Sequence, residues 1–377
     1  MSEADAVLTD WRERIRAAAA CGQRLRLVGG GSKDFLGRPP AGEPLVTRAY
    51  AGVTDYAPSE LVISARCGTP LAEVEALLAE AGQMLPFEPP HFGPDATLGG
   101  AVACGLAGPA RPSAGGVRDA VLGVRILDGR AQDLRFGGQV MKNVAGFDVS
   151  RLMVGSMGTL ALILEVSMKV LPRPECESTL VFELDQDAAL ARCVELGRKA
   201  IPISATAWVP DIAGTAPVGR LYLRLSGRET TVVATARALG GETLAHAAQA
   251  GFWQGLREQT LPWFAGDKAG SVSADAQQES ALYRILVPAA TPVLALPGEV
   301  LNEWGGCQRW LRADAPVEEV RQAVRTHRGQ VSRFRGGERT AAVFEPLPAP
   351  LRALHARLRA VFDPSGVFDA ERTGWYR

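Results

Sequence analysis

The segment GPDATLGGAVACGLAGPARPSAGG, residues 93–116, contains seven glycines and lies between two shorter glycine-containing stretches. These are VGGGSKDF at 28–35 and VGSMGTLALI at 154–163. Glycine lets main-chain N–H groups approach a ligand without a Cβ in the way, and consecutive N–H donors form an anion-binding concavity suited to a pyrophosphate. A tight turn explains any one of these loops, but three loops in one half of the chain favour one extended ligand, a dinucleotide.

The residues around the first loop argue against the two common nucleotide-binding folds. RLRLV at 24–28 is predicted to be a strand, because leucines alternate with arginines. The loop then continues as DFLGRPP at 34–40, which cannot begin the helix that a Rossmann fingerprint requires. Lys33 also lacks the upstream spacing of a Walker A motif.

Four stretches in a fixed order carry a resemblance to a known flavoprotein family. They are GGGS at 29–32, PDATLGGAVA at 94–103, RDAVLGVRILDG at 118–129 and FGGQVMKNVAGFDVSRLMVGSMGTLALILEVSMKVLP at 136–172. Together they resemble the FAD-binding domain of the vanillyl-alcohol-oxidase (PCMH) type flavoproteins. Within that superfamily, the last stretch and EWGGCQRWL at 303–311 are most similar to the FAD-binding subunits of bacterial glycolate oxidases.

The resemblance implies FAD as the cofactor and points to the loops that hold it. The candidate cofactor-binding residues are Gly29, Gly30, Gly31, Ser32, Lys33, Pro94, Thr97, Gly99, Gly100, Gly155, Ser156, Gly158, Thr159 and Leu160. We expect the first loop to cradle the pyrophosphate through main-chain N–H groups. The resemblance implies that the second loop follows the pyrophosphate and isoalloxazine, and that the third lies on the other side of the cofactor. Thr97 and Thr159 have turn capping as an alternative role.

Some members of the superfamily attach FAD covalently through a histidine in or beside the first loop. Residues 29–35 contain no histidine, and we interpret His91, just before the second loop, as an ordinary loop residue. FAD is therefore expected to be noncovalent.

The predicted fold class is α+β, with a two-part FAD-binding domain of the vanillyl-alcohol-oxidase/PCMH type and a ferredoxin-like α+β cap domain. We assign residues 1–174 to the FAD-binding domain and 175–345 to a cap that binds substrate or another subunit. Residues 346–377 are expected to form a helix and a tail that returns to the FAD domain. Pro172 and Pro174 mark the first boundary.

Local patterns predict several elements of these domains. An amphipathic N-terminal helix has Val7, Trp11, Ile15 and Ala18 on one face. A second helix is predicted after the strand 61–65, with Thr69 as its N-cap and Pro70 at its first position. In the cap, strands are predicted at 178–184, 203–208, 220–227, 283–288, 306–313 and 330–335, and helices at 186–199, 228–239 and 316–326.

Composition excludes several classes of protein. Lys+Arg and Asp+Glu both total 41, so the chain lacks the basic character of a nucleic-acid binder. The six cysteines are scattered without a C-x-x-C pair, so we expect no metal or iron–sulfur site and no disulfide framework here. The apolar run 152–164 is too short to span a bilayer. We expect a cytoplasmic protein, with any membrane association peripheral and through a complex.

The sequence offers few candidates for catalytic residues. Oxidation of a 2-hydroxy acid needs a cation for the carboxylate and a base for the hydroxyl proton. Arg284 and Arg309, on predicted cap strands, are the candidate carboxylate clamps, with strand salt bridges as their alternative role. The four histidines are solitary, and the histidine-rich cap motif of catalytic subunits in this family branch is absent.

Two functions remain open. In the first, the chain is an FAD-binding subunit of a glycolate oxidase complex, which oxidises glycolate to glyoxylate and passes electrons through flavin to an iron–sulfur partner. Its partners would be a catalytic FAD subunit and that iron–sulfur subunit. In the second, it is a self-sufficient FAD-dependent dehydrogenase of a 2-hydroxy acid such as D-lactate. The missing cap histidines favour the first function.

Overall fold

A computed structural model of the protein describes residues 3–138, 148–211, 218–265, 280–340 and 343–375. The helices are α1 Glu3–Cys21, α2 Leu71–Glu80, α3 Leu98–Cys104, α4 Arg111–Ala114, α5 Val117–Ala120, α6 Val149–Leu152, α7 Gln186–Leu196, α8 Glu229–Leu239, α9 His246–Glu258, α10 Pro262–Ala265, α11 Val317–Arg325 and α12 Ala349–Phe362. The strands are β1 Leu25–Val28, β2 Glu43–Val46, β3 Val53–Ala57, β4 Val62–Arg66, β5 Gln83–Met84, β6 Val121–Leu127, β7 Asp133–Gly137, β8 Leu162–Lys169, β9 Leu171–Pro172, β10 Cys176–Glu183, β11 Ile203–Val209, β12 Arg220–Gly227, β13 Glu242–Thr243, β14 Ala281–Leu286, β15 Glu299–Glu303, β16 Gln308–Ala313 and β17 Gln330–Arg335.

The chain divides into two compact units. Unit 1 comprises Met1–Ala107, Gly115–Arg173 and Pro346–Arg377. Unit 2 comprises Gly108–Ala114 and Pro174–Glu345. Each unit has its own sheets and its own buried apolar core.

Unit 1 is built on a five-stranded antiparallel sheet in the order β3-β4-β8-β6-β7. A separate parallel pair, β1 with β2, precedes it in the chain. The first glycine loop directly follows β1 and therefore lies at the carboxyl end of that strand. The residues between the two strands form that loop instead of a Rossmann helix, as the sequence predicts.

Helix α1 packs its apolar face into the core of unit 1. Leu8, Trp11, Ile15 and Ala18 are buried, and Val7 is half-buried. Trp11 meets Tyr50 edge to face at 5.8 Å. Burial of a large apolar side chain contributes roughly 1.5–3 kcal/mol, so this face holds the helix in place. The predicted stripe is confirmed, with Leu8 added to it.

The predicted cap of the second helix is wrong. Helix α2 begins at Leu71 with Pro70 in the N-cap position and no side-chain cap. The Thr69 hydroxyl instead donates to the carbonyl oxygen of Arg66 and accepts from the N–H of Gly52. A threonine hydroxyl bonds equally well to nearby turn groups, and here the turn after β4 takes precedence.

The C-terminal tail belongs to unit 1 and runs beside β1. The N–H of Leu25 donates to the carbonyl of Val367 at 2.7 Å, and the N–H of Asp369 donates to the carbonyl of Leu25 at 3.2 Å. The buried carboxylate of Asp363 accepts hydrogen bonds from the N–H groups of Val367 and Phe368, which fixes the turn after α12. These contacts bring the tail next to the first glycine loop.

Unit 2 contains an eight-stranded antiparallel sheet in the order β13-β10-β12-β11-β15-β16-β14-β17. Its first half follows the chain as β10-α7-β11-β12-α8-β13, which is the ferredoxin-like pattern. The second half repeats the strand order, but a loop replaces the helix between β14 and β15. Strand β15, which the sequence patterns did not predict, pairs with β11 and joins the two halves.

No helix among the described residues is long and apolar enough to cross a membrane. The apolar run 152–164 forms the end of α6, a turn and the start of β8. Its apolar side chains are mostly buried because β8 is a central strand of the unit 1 sheet.

Candidate functional site

A cleft in unit 1 brings the three glycine loops together. Its empty volume is about 890 Å³, including the part that is open to solvent. It is lined by Arg26, Leu27, Val28, Gly29, Gly30, Gly31, Ser32, Lys33, Asp34, Thr47, Cys67, Thr97, Gly99, Gly100, Ala103, Cys104, Met157, Gly158, Ala161, Leu162, Ile163, Asp369 and Arg372. This volume suits a ligand of dinucleotide size.

The first and second loops touch through their main chains. A Cβ built on Gly30 would lie 1.5 Å from the carbonyl oxygen of Asp95, and one built on Gly29 would lie 2.4 Å from Oγ1 of Thr97. Gly31 has φ +71°, a left-handed conformation that favours glycine. Each of the three glycines is therefore required by close approach or by backbone conformation.

The first loop offers main-chain donors to the cleft. Within the described structure, the N–H groups of Gly30, Gly31 and Ser32 donate no hydrogen bond to any other turn or loop. Consecutive N–H groups of this kind form a concavity that binds anions such as phosphate. The residues present therefore fit the pyrophosphate of FAD.

Basic side chains surround the same loop. Lys33 is 6% exposed, and its ammonium group donates to the carbonyl of His91 at 3.1 Å and to Oγ of Ser32 at 3.3 Å. Arg372 donates from Nη2 to the carbonyl of Lys33 at 3.2 Å. Buried cations next to unpaired N–H donors favour an anionic ligand at this end of the cleft.

Two residues of the C-terminal tail, Asp369 and Arg372, also line the cleft. Asp369 accepts a hydrogen bond from the N–H of Ala41 through Oδ2, while its buried Oδ1 has no partner among the described residues. An unpaired buried carboxylate oxygen is costly, because the group has lost water without gaining a donor. Its place on the lining makes it a candidate acceptor for a ligand hydroxyl or N–H group.

Helix α3 holds the second loop against the sheet. Thr97 is its N-cap and accepts from the N–H of Gly100 at 3.2 Å, so the capping role expected as an alternative is present. A Cβ on Gly99 would lie 2.6 Å from Cβ of Cys67, which explains the glycine there. Thr97, Gly99 and Gly100 all line the cleft, whereas Pro94 is exposed and lies outside its lining.

Of the residues predicted for the third loop, only one lines the cleft. Gly158 lines the cleft, with φ +72°, but Gly155, Ser156, Thr159 and Leu160 do not. Their contacts explain this: Thr159 donates to the carbonyl of Ser156, and the N–H of Gly155 donates to the carbonyl of Val102 in α3. These four residues shape the turn, while Met157 and Ala161 to Ile163 reach the ligand space.

The two thiols in the lining are not nucleophiles. Burial raises the pKa of Cys67 to about 12, and it also raises the pKa of Cys104. Both thiols stay protonated at neutral pH, and thiolate is the reactive form. Among the described residues, no group of three His, Cys, Asp or Glu side chains is arranged to hold a metal ion.

The lining of this cleft in unit 1 includes no histidine. His91 lies beside the first loop, and its Nε2 contacts Oε2 of Glu75 at 2.9 Å. The ring is thus engaged with a carboxylate of α2.

The contacts of Arg309 do not favour the predicted clamp role. Its side chain is 0% exposed, and its guanidinium donates to the carbonyls of Gly306, Pro292 and Thr291. These bonds tie the loop between β14 and β15 to the sheet. Three of the five guanidinium N–H groups are committed to main-chain carbonyls, and burial keeps the other two from contact with a substrate in solvent.

Arg284 is arranged differently. Its Nε donates to Oε1 of Gln308 at 2.6 Å, and Gln308 in turn donates to the buried carboxylate of Glu303 at 2.9 Å. Its terminal nitrogens make no hydrogen bond or ion pair with any described residue. The guanidinium lies 5.3 Å from the ring centroid of Trp304, and that of Arg111 lies 4.8 Å from the same ring.

Burial, and after it the charge of Arg111, lower the pKa of Arg284 to about 10. Arg284 remains charged at neutral pH. Burial and the charge of Arg111, whose guanidinium lies over the same indole ring, destabilise this charged form. Trp304 is fixed in turn by the hydrogen bond from its Nε1 to the carbonyl of Gly108. A bound anion would relieve this repulsion.

Several lining residues were missed by sequence reasoning. Arg26, Leu27 and Val28 directly precede the first loop, so their position at the end of a strand was a usable signal. Asp369 and Arg372 gave no local signal, because the tail reaches the loop only through long-range pairing with β1.

Comparisons with known proteins agree with this site. A family model described as "FAD binding domain" matches residues 8–137. The glycolate oxidase subunit GlcE of Escherichia coli is 45% identical over 360 residues, 96% of this chain and 95% of the relative. The glycolate oxidase subunit GlcD of Bacillus subtilis is 38% identical, but over only 23% of this chain and 19% of its own length.

Two more distant matches are also found, one in sequence and one in structure. A mitochondrial D-lactate dehydrogenase [cytochrome] of Arabidopsis thaliana is 29% identical over 31% of this chain and 20% of its own length. A solved structure of alkyldihydroxyacetonephosphate synthase covers 94% of this chain and 74% of its own, with a TM-score of 0.62 and 14% identity. The FAD-binding fold and FAD as cofactor, both expected from the sequence, are confirmed.

Proposed function

The chain belongs to the family of glycolate oxidase subunit GlcE, and from that premise we propose that it is the FAD-carrying subunit of an oxidase acting on glycolate. The reaction would convert this small 2-hydroxy acid to glyoxylate. The observation that carries the proposal is the near-complete length of the GlcE match, which extends over both units.

The described residues of the cleft have definable tasks in this function. N–H groups of Gly30, Gly31 and Ser32 would hold the pyrophosphate, and Lys33 and Arg372 would balance its charge. When bound, FAD supplies the acceptor for the two electrons of alcohol oxidation. We propose that it is held without a covalent bond, since the first loop has no histidine and the lining thiols are protonated at neutral pH.

The chain would act beside a catalytic FAD subunit and an iron–sulfur subunit. Two relatives bear the names of oxidase subunits, which supports a multi-subunit assembly. The described lining of the cleft holds no histidine to serve as a general base, and this favours a chain that carries flavin for a complex. Any membrane association would then be through that complex.

Arg284 is the residue that we propose for contact with a carboxylate, and Arg111 is its companion. Gln308 orients the Arg284 guanidinium through Nε, which leaves the terminal nitrogens for a bidentate contact. Arg111 adds a second positive charge over the same indole ring. Arg284 and Arg111 both lie within unit 2, and neither has a carboxylate partner among the described residues. Their two positive charges therefore suit a small monocarboxylate.

The experiment that tests the function is anaerobic absorbance of the purified full chain, alone and assembled with its partner subunits, before and after addition of glycolate. We expect flavin bands in the isolated chain that persist with glycolate and that bleach in the complex. Bleaching in the isolated chain would instead identify a self-sufficient dehydrogenase. Persistence of the bands in the assembled complex would refute glycolate as substrate.

A further inference from the structure

Helix α12, Ala349–Phe362, has an unusual composition for an exposed element. Its sequence, APLRALHARLRAVF, contains only apolar residues, arginines and one histidine. Phe362 is its one buried residue, whereas Leu351, Leu354 and Val361 are 47%, 41% and 61% exposed. A helix on a free surface normally turns polar side chains outward, so this face lacks the pattern of a solvated helix.

The exposed apolar residues of α12 form one stripe. Leu351, Leu354 and Val361, together with the half-buried Leu358, follow a spacing of three and four residues, which places them along a single side of the helix. Among the described residues, the exposed large apolar side chains are Leu351, Leu354, Val361 and two isolated valines, Val46 and Val233. The exposed apolar surface is therefore concentrated on α12, as at protein interaction sites.

The charge of the helix has one sign. Arg352 and Arg357 are exposed and make no hydrogen bond or ion pair with any described residue. Arg359 is the exception, since it lies 3.9 Å from Asp363. No acidic residue lies within the helix, so its outer surface combines an apolar stripe with uncompensated guanidinium groups.

The helix is attached to unit 1 mainly at its C-terminal end. The Arg130 guanidinium donates to the carbonyl of Val361, and the N–H of Gly129 donates to the carbonyl of Phe362, each at 2.8 Å. His355 meets Trp375 edge to face at 5.6 Å. These contacts fix where the helix lies on unit 1, and a binding face that is already formed lowers the entropic cost of association.

We propose that α12 is the docking helix for another subunit of the oxidase, which covers its apolar stripe with a groove edged by carboxylates. This inference rests on the proposed function, because that function requires partner subunits. Guanidinium groups pair with carboxylates in bidentate geometry, and arginine is enriched at protein interfaces. Ala353, Ala356 and Ala360 lie between the larger residues, and their small side chains allow close approach of a partner backbone.

A protein partner fits this helix better than a membrane surface does. Helices that lie in a membrane interface insert tryptophan, phenylalanine and leucine on one face and carry many basic residues on the other. On α12 the phenylalanine is buried against unit 1, and much of the outer surface is alanine. Such a face inserts little apolar volume into lipid.

The test uses the full chain produced together with its partner subunits, and it measures the affinity of the assembled complex. Leu354→Glu, Val361→Glu and Arg357→Glu should each weaken association at least about tenfold, as for an interface hot spot. Val233→Glu on α8 is the matched control, since Val233 is 44% exposed and lies in unit 2. The control should assemble normally, and FAD content and the melting temperature of each isolated variant should match those of the wild type.

The outcomes separate this inference from the proposed function. If wild type and all α12 variants assemble and oxidise glycolate equally, the docking surface is wrong and the function stands. If the wild type does not assemble with any partner, both are overturned. The α12 variants could also assemble normally with the partner subunits but lose self-association, or lose binding to vesicles of phosphatidylcholine and phosphatidylglycerol. Either result would overturn the proposal that another subunit covers α12.

Discussion

The main chain of Gly30 lies so close to that of Asp95 that a Cβ on Gly30 would be 1.5 Å from the Asp95 carbonyl oxygen. This contact joins the first and second glycine loops through two residues that are 65 positions apart in the chain. Backbone atoms, unlike the end of a flexible side chain, cannot move aside without displacing the whole loop. The cofactor cleft therefore depends on this pair.

Gly30→Ala should abolish FAD retention, because the methyl group forces the first loop away from the second and misaligns its N–H donors. FAD absorbance per purified chain measures the effect. Gly251→Ala is the control, since a Cβ there meets nothing within 4 Å and the residue lies in helix α9. Normal FAD content in Gly30→Ala would contradict the role assigned to the loop contact.

Lys33→Met should weaken FAD binding about tenfold, the size of one lost charge-assisted hydrogen bond of about 1.4 kcal/mol. The substitution keeps a long side chain but removes the cation that donates to the His91 carbonyl. Fluorescence titration of the apoprotein with FAD gives the affinity. Lys199→Met removes an exposed lysine paired with Glu195 on α7 and should leave the affinity unchanged.

Arg284→Met should raise the KM for glycolate of the assembled complex by about tenfold or more, with FAD content unchanged. The terminal nitrogens of Arg284 hold no described protein partner, so their removal costs the fold little. Steady-state kinetics of the complex provides the readout. An unchanged KM would remove Arg284 from the proposed carboxylate site.

Arg309→Met should have the opposite profile. It leaves three buried carbonyls without their donor, and a hydrogen bond from a charged group contributes about 1.5–3 kcal/mol. We expect a clear fall in melting temperature, with the KM of the enzyme that remains folded unchanged. A raised KM at normal stability would instead support the predicted clamp role of Arg309.

The pair of Asp133 and Arg125 should make stability depend on pH. Hydrogen bonding to Arg125, and its charge together with that of Arg12, hold the pKa of Asp133 below its ordinary value. A lowered folded-state pKa means that the stabilisation is present above the unfolded pKa, about 3.9, and is lost as pH falls through the folded one. Asp133→Asn should therefore melt earlier than wild type at pH 7, and the difference in melting temperature should begin to shrink below about pH 4 and vanish only below the lowered folded-state pKa. A gap that stays constant with pH would refute the ionic origin of this stabilisation.

Local patterns predicted the elements whose residues carry their own periodicity. The bounds of β12 and β17 agree with the predicted strands 220–227 and 330–335, and the buried face of α1 follows its stripe. Strand β15, EVLNE, was missed because its polar residues Asn302 and Glu303 are buried by pairing with β11 and β16, which no local pattern reveals. The cap of α2 was misassigned because a threonine before a proline fits a turn as well as a helix start.

The cofactor loops were visible in the sequence because glycine marks close main-chain approach wherever it is required. The side chains that distant segments bring to the cleft were not visible in the sequence. Asp369 and Arg372 enter the cleft only because the tail pairs with β1. Arg309 shows the reverse case. Its residue type suited a clamp, but only the structure shows its guanidinium buried among carbonyls.

The most direct test of the account is to purify the full chain, precipitate it with acid and measure flavin in the supernatant and the pellet. We expect a yellow protein that releases FAD into the supernatant in an amount equal to that of the chain. A colourless protein that takes up no added FAD would contradict the assignment of the cleft, and flavin retained in the pellet would contradict noncovalent binding.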